Sequence, residues 1–113
     1  MSLDCGSDLL AVVRQARRFG VNILGSTQSA LALAFARKGP EKFRNIAWEA
    51  DHGLPRLPGA PGWLACEVTS LVDGGDHIVA LGAVVAAATD HGEPLTYHGR
   101  AFGTHTALDE ASR

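Results

Sequence analysis

Asp76 and His77 stand side by side after a Gly-Gly pair, at the head of the apolar run IVALGAVVAAAT. An imidazole changes charge near neutral pH, so it can move a proton or hydrogen-bond a ligand. A neighbouring carboxylate can select which ring nitrogen carries the proton. Adjacent strand residues point to opposite faces, however, and Asp76 equally suits a turn. Further on, TYHGR places Tyr97 and His98 near Arg100, a group suited to phosphate. Cations concentrate early. Residues 1–45 hold Arg14, Arg17, Arg18, Arg37, Lys38, Lys42 and Arg44 against Asp4, Asp8 and Glu41, whereas residues 46–113 hold three arginines against nine acids. A basic first half suits a small anion such as phosphate, or is simply the charged surface of helices. The five histidines are scattered, and His98 and His105 lack a carboxylate at ligand spacing, so no metal site is expected. Cys5 and Cys66 form no C-x-x-C pair and read as free thiols of a reducing cytoplasm. No Ser-His-acid arrangement, P-loop or G-x-G-x-x-G is present.

The chain that must position these groups has 113 residues, 46% of them hydrophobic, and a net charge of -2. That length fits one domain and a core that needs no disulfide. A charged fraction of 19% with mean hydropathy of +0.05 argues against disorder. A mildly acidic balance argues against nucleic acid as partner. No run reaches about 18 uncharged apolar residues, so no membrane helix is expected. The start MSLDCGSD lacks the basic and apolar regions of a secretory signal, which again indicates the cytoplasm.

Residues 7–18 read as a helix with Ser7 as N-cap, Asp8 in the first turn, and Leu9, Leu10, Val13 and Ala16 as an apolar stripe. Gly20 is expected to stop it. The run 19–24 reads as a buried strand, and Ser26 or Thr27 as the cap of a second helix ending near Lys38 before Gly39-Pro40. A short strand is expected at 45–50. Residues 52–62 hold three of the five prolines, so a loop with no regular element is expected there. Residues 63–72 alternate as a strand, 73–76 signal a turn, and 78–89 read as a strand with Gly82 as a bulge or close approach. Residues 95–102 read as one final strand. The fold class is therefore α+β, mainly β, with antiparallel strands following two helices in the N-terminal half.

Six strings carry a resemblance: RRFGVNILGSTQ (17–28), LAFARKGPEKF (33–43), W-E (48–49), WLACEV (63–68), GGDHIVALGAVV (74–85) and PLTYHGRAFGT (94–104). In order and spacing the chain resembles the flavin reductase family with the FMN-binding split barrel. This is the NAD(P)H:flavin oxidoreductase component of two-component monooxygenases. The resemblance implies a single domain over 1–105 with a flexible tail at 106–113, and a partial split β-barrel. Family members carry further strands ahead of a segment like LDCGSDLL. Those strands hold much of the flavin, so the chain reads as N-terminally shortened, with sheet edges left unpaired.

Carried over, Phe35, Lys38, Lys42 and Phe43 are cofactor-side candidates, with a helix-end cation cluster over core aromatics as the alternative. Asn22 resembles a position near the cofactor pocket, its alternative being a local sheet contact. His77 resembles the nicotinamide-side histidine, with Asp76 as its companion. Tyr97 and Arg100 resemble the late strand beside the nucleotide site. Trp48 and Trp63 read as core or dimer anchors. The implied activity is NAD(P)H-dependent reduction of FMN, supplying reduced flavin to a partner monooxygenase, from a homodimer. The alternative is a shortened paralogue that has lost flavin and serves as a repurposed enzyme or accessory subunit.

Overall fold

The structure, a computed structural model, describes residues 1–37 and 44–109. Its element order is β1 (Ser2–Asp4), α1 (Asp8–Ala16), β2 (Arg18–Ile23), α2 (Ser29–Ala36), β3 (Glu49–Asp51), β4 (Leu54–Arg56), β5 (Gly62–Gly74), β6 (His77–Thr89), β7 (Leu95–His98) and β8 (Ala101–Thr104). The mainly-β, α+β expectation holds, with every strand pair antiparallel. The described strands form an open four-stranded sheet in the order β1-β6-β5-β2, plus the hairpins β3-β4 and β7-β8. No closed barrel is seen among the described residues.

The β5-β6 hairpin is the spine. Gly74 pairs with His77 across the two-residue turn Gly75-Asp76, and Gly75 takes φ 73°, which glycine enters without a Cβ clash. Its register slips twice, between Ala65 and Cys66 and between Val68 and Ser70. At the second slip the Thr69 hydroxyl donates to the Leu81 carbonyl at 3.0 Å. Gly82 lies opposite Val68 there, and a Cβ on it would sit 2.9 Å from Phe19 Cζ. The close approach expected at Gly82 is therefore present.

Helix α1 closes one face of the sheet. Ser7 Oγ accepts from Leu10 N at 3.1 Å, Asp8 occupies the first turn, and Leu10 and Val13 are buried. Those two side chains join Leu3, Phe19, Cys66, Ile78 and Ala80 in the core. Burying a large aliphatic or aromatic side chain of this kind contributes about 1.5–3 kcal/mol.

Several expectations are corrected. Helix α1 ends at Ala16, not at Gly20. Arg17 takes the left-handed cap position at φ 60° and its N–H returns to the Val13 carbonyl. Gly20 belongs to β2 instead, where a Cβ would lie 2.5 Å from Trp63 Cη2. Gln28, not Ser26 or Thr27, is the N-cap of α2. The strand expected at 45–50 begins only at Glu49. Inside the Pro/Gly-rich stretch, β4 forms as an edge strand, where Pro55 needs no ladder N–H on its open side. Residues 95–102 are two strands, not one, because Gly99 and Arg100 both take left-handed φ and turn the chain back. Strand β1 has no counterpart among the expected elements; it pairs with β6 from Ser2 opposite Val79 to Asp4 opposite His77.

Candidate functional site

A cavity of about 300 Å³ opens where β2, α2 and β4 meet. Gly20, Asn22 and Leu24 come from β2 and its exit, Phe35 from α2, and Pro55 and Leu57 from β4 and the residue after it. The volume is at the lower end of small-molecule sites. Its walls are aliphatic and aromatic, with Asn22 as the polar member. The Asn22 amide is engaged by the chain itself: Nδ2 donates to the Pro55 carbonyl at 3.1 Å, and Oδ1 accepts from Leu57 N at 2.8 Å. Beneath the site, Trp63 is 2% exposed and packs on Gly20, with the Arg56 guanidinium 5.9 Å from its ring centroid.

The hairpin carrying Pro55 is braced internally by charge. Asp51 Oδ2 accepts from Arg56 Nη1 at 2.8 Å, and Asp51 Oδ1 meets His52 Nδ1 at 2.6 Å. These two hydrogen bonds, that to His52 foremost, hold the Asp51 carboxyl below its ordinary 3.8. Arg18 adds a weak contact to the His52 carbonyl at 3.4 Å.

His77 and Asp76 are joined, His77 Nδ1 lying 2.8 Å from Asp76 Oδ1. The turn explains how neighbours meet: Asp76 is off the strand, so the alternation of faces does not separate them. That bond is the main cause that raises the His77 pKa above its ordinary 6.5, helped by the charge of Asp76 and of Asp4 across the β1-β6 pair and opposed by partial burial. Asp76 is lowered in return, first by the same bond. With Nδ1 engaged, Nε2 is the nitrogen left for another partner.

The structure does not gather all the expected site residues. Gly20 lies opposite Ala65, and Ala65 opposite Ala86, so His77 is nine residues along β6 from the cavity, about 30 Å of strand. Asn22 and Phe35 line the cavity. Tyr97 and Arg100 ride on the β7-β8 hairpin, which leaves the molecule at the cavity end through Leu95 N donating to the Leu24 carbonyl. Tyr97 packs on Phe102 with ring centroids 5.0 Å apart, and Arg100 is at the hairpin tip. Lys38, Lys42 and Phe43 lie outside the described residues. Sequence reasoning missed Pro55, Leu57 and Gln28. The doubled proline spacing LPRLP is the available signal, but proline content alone reads as a loop.

Comparison with known proteins places this geometry. Residues 1–106 match the family model described as the flavin reductase like domain. The chain is 42% identical over 93 residues to the reductase component of 4-nitrophenol 4-monooxygenase/4-nitrocatechol 2-monooxygenase from Rhodococcus opacus, covering 82% of this chain and 50% of that protein. It is 36% identical over 90 residues to the FMN reductase (NADH) SmoA of Agrobacterium fabrum, covering 79% of this chain and 51% of that one. The chain thus spans about half the length of the curated relatives it matches. Among solved structures, the NADH:FAD oxidoreductase SgcE6 of Streptomyces globisporus C-1027 superposes with a TM-score of 0.88 at 25% identity, covering 95% of this chain and 68% of that one. From the match over 1–106 and the shared fold, the chain belongs to the flavin reductase like domain family.

Proposed function

We propose that the chain works in NAD(P)H-dependent reduction of flavin, and that the reduced flavin serves a partner monooxygenase. The observation that carries this is the 42% likeness to a monooxygenase reductase component. FMN is the flavin we favour, after the relative named FMN reductase (NADH); the structural neighbour SgcE6 is an NADH:FAD oxidoreductase. Bound flavin supplies the hydride-accepting ring. The residues of this chain bind it, orient it and keep water away. Leu24, Phe35, Pro55 and Leu57 offer apolar walls suited to a planar ring, in a volume that fits a ring rather than a whole dinucleotide. None of the described residues lining the cavity is a cation; Lys38 and Lys42, which follow α2 in the sequence, are the proposed phosphate-binding groups. His77 is the proposed nicotinamide-side group, through Nε2, with Asp76 fixing its tautomer, and Tyr97 and Arg100 belong to the nucleotide side.

A homodimer completes the reading. Its support is the span of chain separating His77 from the cavity and the apolar β6 edge, where Leu81, Val84 and Val85 are 48%, 55% and 49% exposed. The location we assign is cytoplasmic, where both cysteines stay reduced. Titration with FMN, read by flavin fluorescence, tests the core of the proposal. Saturation near micromolar, about -8 kcal/mol, is expected, with NADH oxidation that falls in His77→Ala. No saturation at millimolar FMN would leave the scaffold as the flavin-free accessory subunit.

A further inference from the structure

The geometry points to Asn22 and Gln28 as positioning residues that hold the 55–58 wall of the cavity in place, without themselves contacting the ligand. The wall has an unusual problem. Residues 55–58 read PRLP, so Pro55 and Pro58 have no N–H to donate. Strand β4 pairs with β3 on one side, and lies against β2 on the other without joining its sheet. On that second side the Pro55 and Pro58 carbonyls and the Leu57 N–H need partners that no ladder provides.

Two side-chain amides fill the gap. Asn22 gives Nδ2–H to the Pro55 carbonyl at 3.1 Å and takes Leu57 N–H on Oδ1 at 2.8 Å. Gln28 gives Nε2–H to the Pro58 carbonyl at 3.1 Å and takes Gly25 N–H on Oε1 at 2.8 Å. The assignment is unambiguous, because proline carbonyls only accept and backbone N–H groups only donate. Three of these bonds tie β2 and the cap of α2 to Pro55, Leu57 and Pro58 opposite, and the fourth, from Gly25 N, fixes Gln28 against the turn it springs from. The amides thereby set the width of the cavity. Each amide needs both a donor and an acceptor, which an ionised carboxylate cannot offer and a protonated one can.

The test for ligand binding rests on the flavin reading; a second arm does not. In Asn22→Asp the ionised side chain faces the Pro55 carbonyl, so FMN Kd at pH 8 is expected to rise about tenfold over wild type. Measured against wild type at each pH, the loss should shrink as pH falls through the introduced carboxyl's own pKa, located by NMR titration of the same variant. Gln28→Glu should move the same way. On the flavin-free protein, hydrogen exchange at the Leu57 amide should quicken about tenfold in Asn22→Leu while Val13 in α1 stays unchanged. An Asn22→Asp loss that persists once that carboxyl is protonated would make Asn22 a direct ligand contact and overturn the proposal. So would an unchanged Kd, an unchanged Leu57 amide, or equal loosening of Leu57 and Val13. If wild type itself binds no FMN, the reductase reading fails, and the exchange arm alone decides the wall.

Discussion

His77 is paired to Asp76 at 2.8 Å, and that one bond sets how the imidazole titrates. Its pKa is raised above 6.5, chiefly by the bond. The stabilisation from His77 is therefore full below its unfolded pKa and is lost as pH rises through the higher folded value. The depressed Asp76 works in the other direction: its share is present above 3.8 and is lost as pH falls through the lower folded value. Replacing Asp76 with Asn should return the His77 pKa downward, read from the His ring protons in an NMR titration; an unmoved titration would mean that the pair does not persist in solution. The adjacency of these residues is visible in the string GGDH. Their contact is not, because alternation along a strand argues against it. A turn one residue earlier reverses the argument.

Among the elements, α1 is the most legible, since its cap, dipole charges and apolar stripe agree locally. Ser7→Ala removes the bond to Leu10 N and should cost about 1 kcal/mol in urea denaturation. The end of α1 is misplaced from sequence because Gly20 looks like a stop signal, whereas its lack of a side chain serves Trp63. Gly20→Ala drives a Cβ into that indole and should destabilise by about 1–3 kcal/mol, with a shift in tryptophan fluorescence. Unchanged stability and emission would show that the ring moves aside freely. Strand β4 is hidden by Pro55 and the prolines that follow it, which exclude a central strand but not an edge. The β7-β8 hairpin is hidden by Arg100, since arginine does not advertise a left-handed turn.

At the scale of the molecule, apolar sequence and burial part company. Strand β6 is almost wholly apolar, yet each of residues 81–85 is exposed, and no described strand pairs with the outer edge of residues 81–89. Helix α2, SALALAFA, is apolar all round and buries no residue fully. Such surfaces call for a partner. With a second copy as that partner, the wild-type chain should sediment as a dimer at micromolar concentration. Val84→Lys, placing a charge on the 55% exposed position, should shift it towards monomer. A wild-type monomer at that concentration would remove the homodimer from the proposed function.

The sequence by itself determined the features governed by local rules and by strings in register: the α+β class, the first helix with its cap, the long β5-β6 hairpin, the close approach at Gly82 and the flavin reductase lineage. Periodicity, capping and turn chemistry act over a few residues, so they can be read along the chain. Tertiary structure alone decided that Asn22 and Gln28 reach across some thirty residues to a proline wall, that Gly20 makes room for Trp63, and that His77 and the cavity lie far apart on one hairpin. Those facts depend on register and on which strand lies beside which, and no local pattern encodes them.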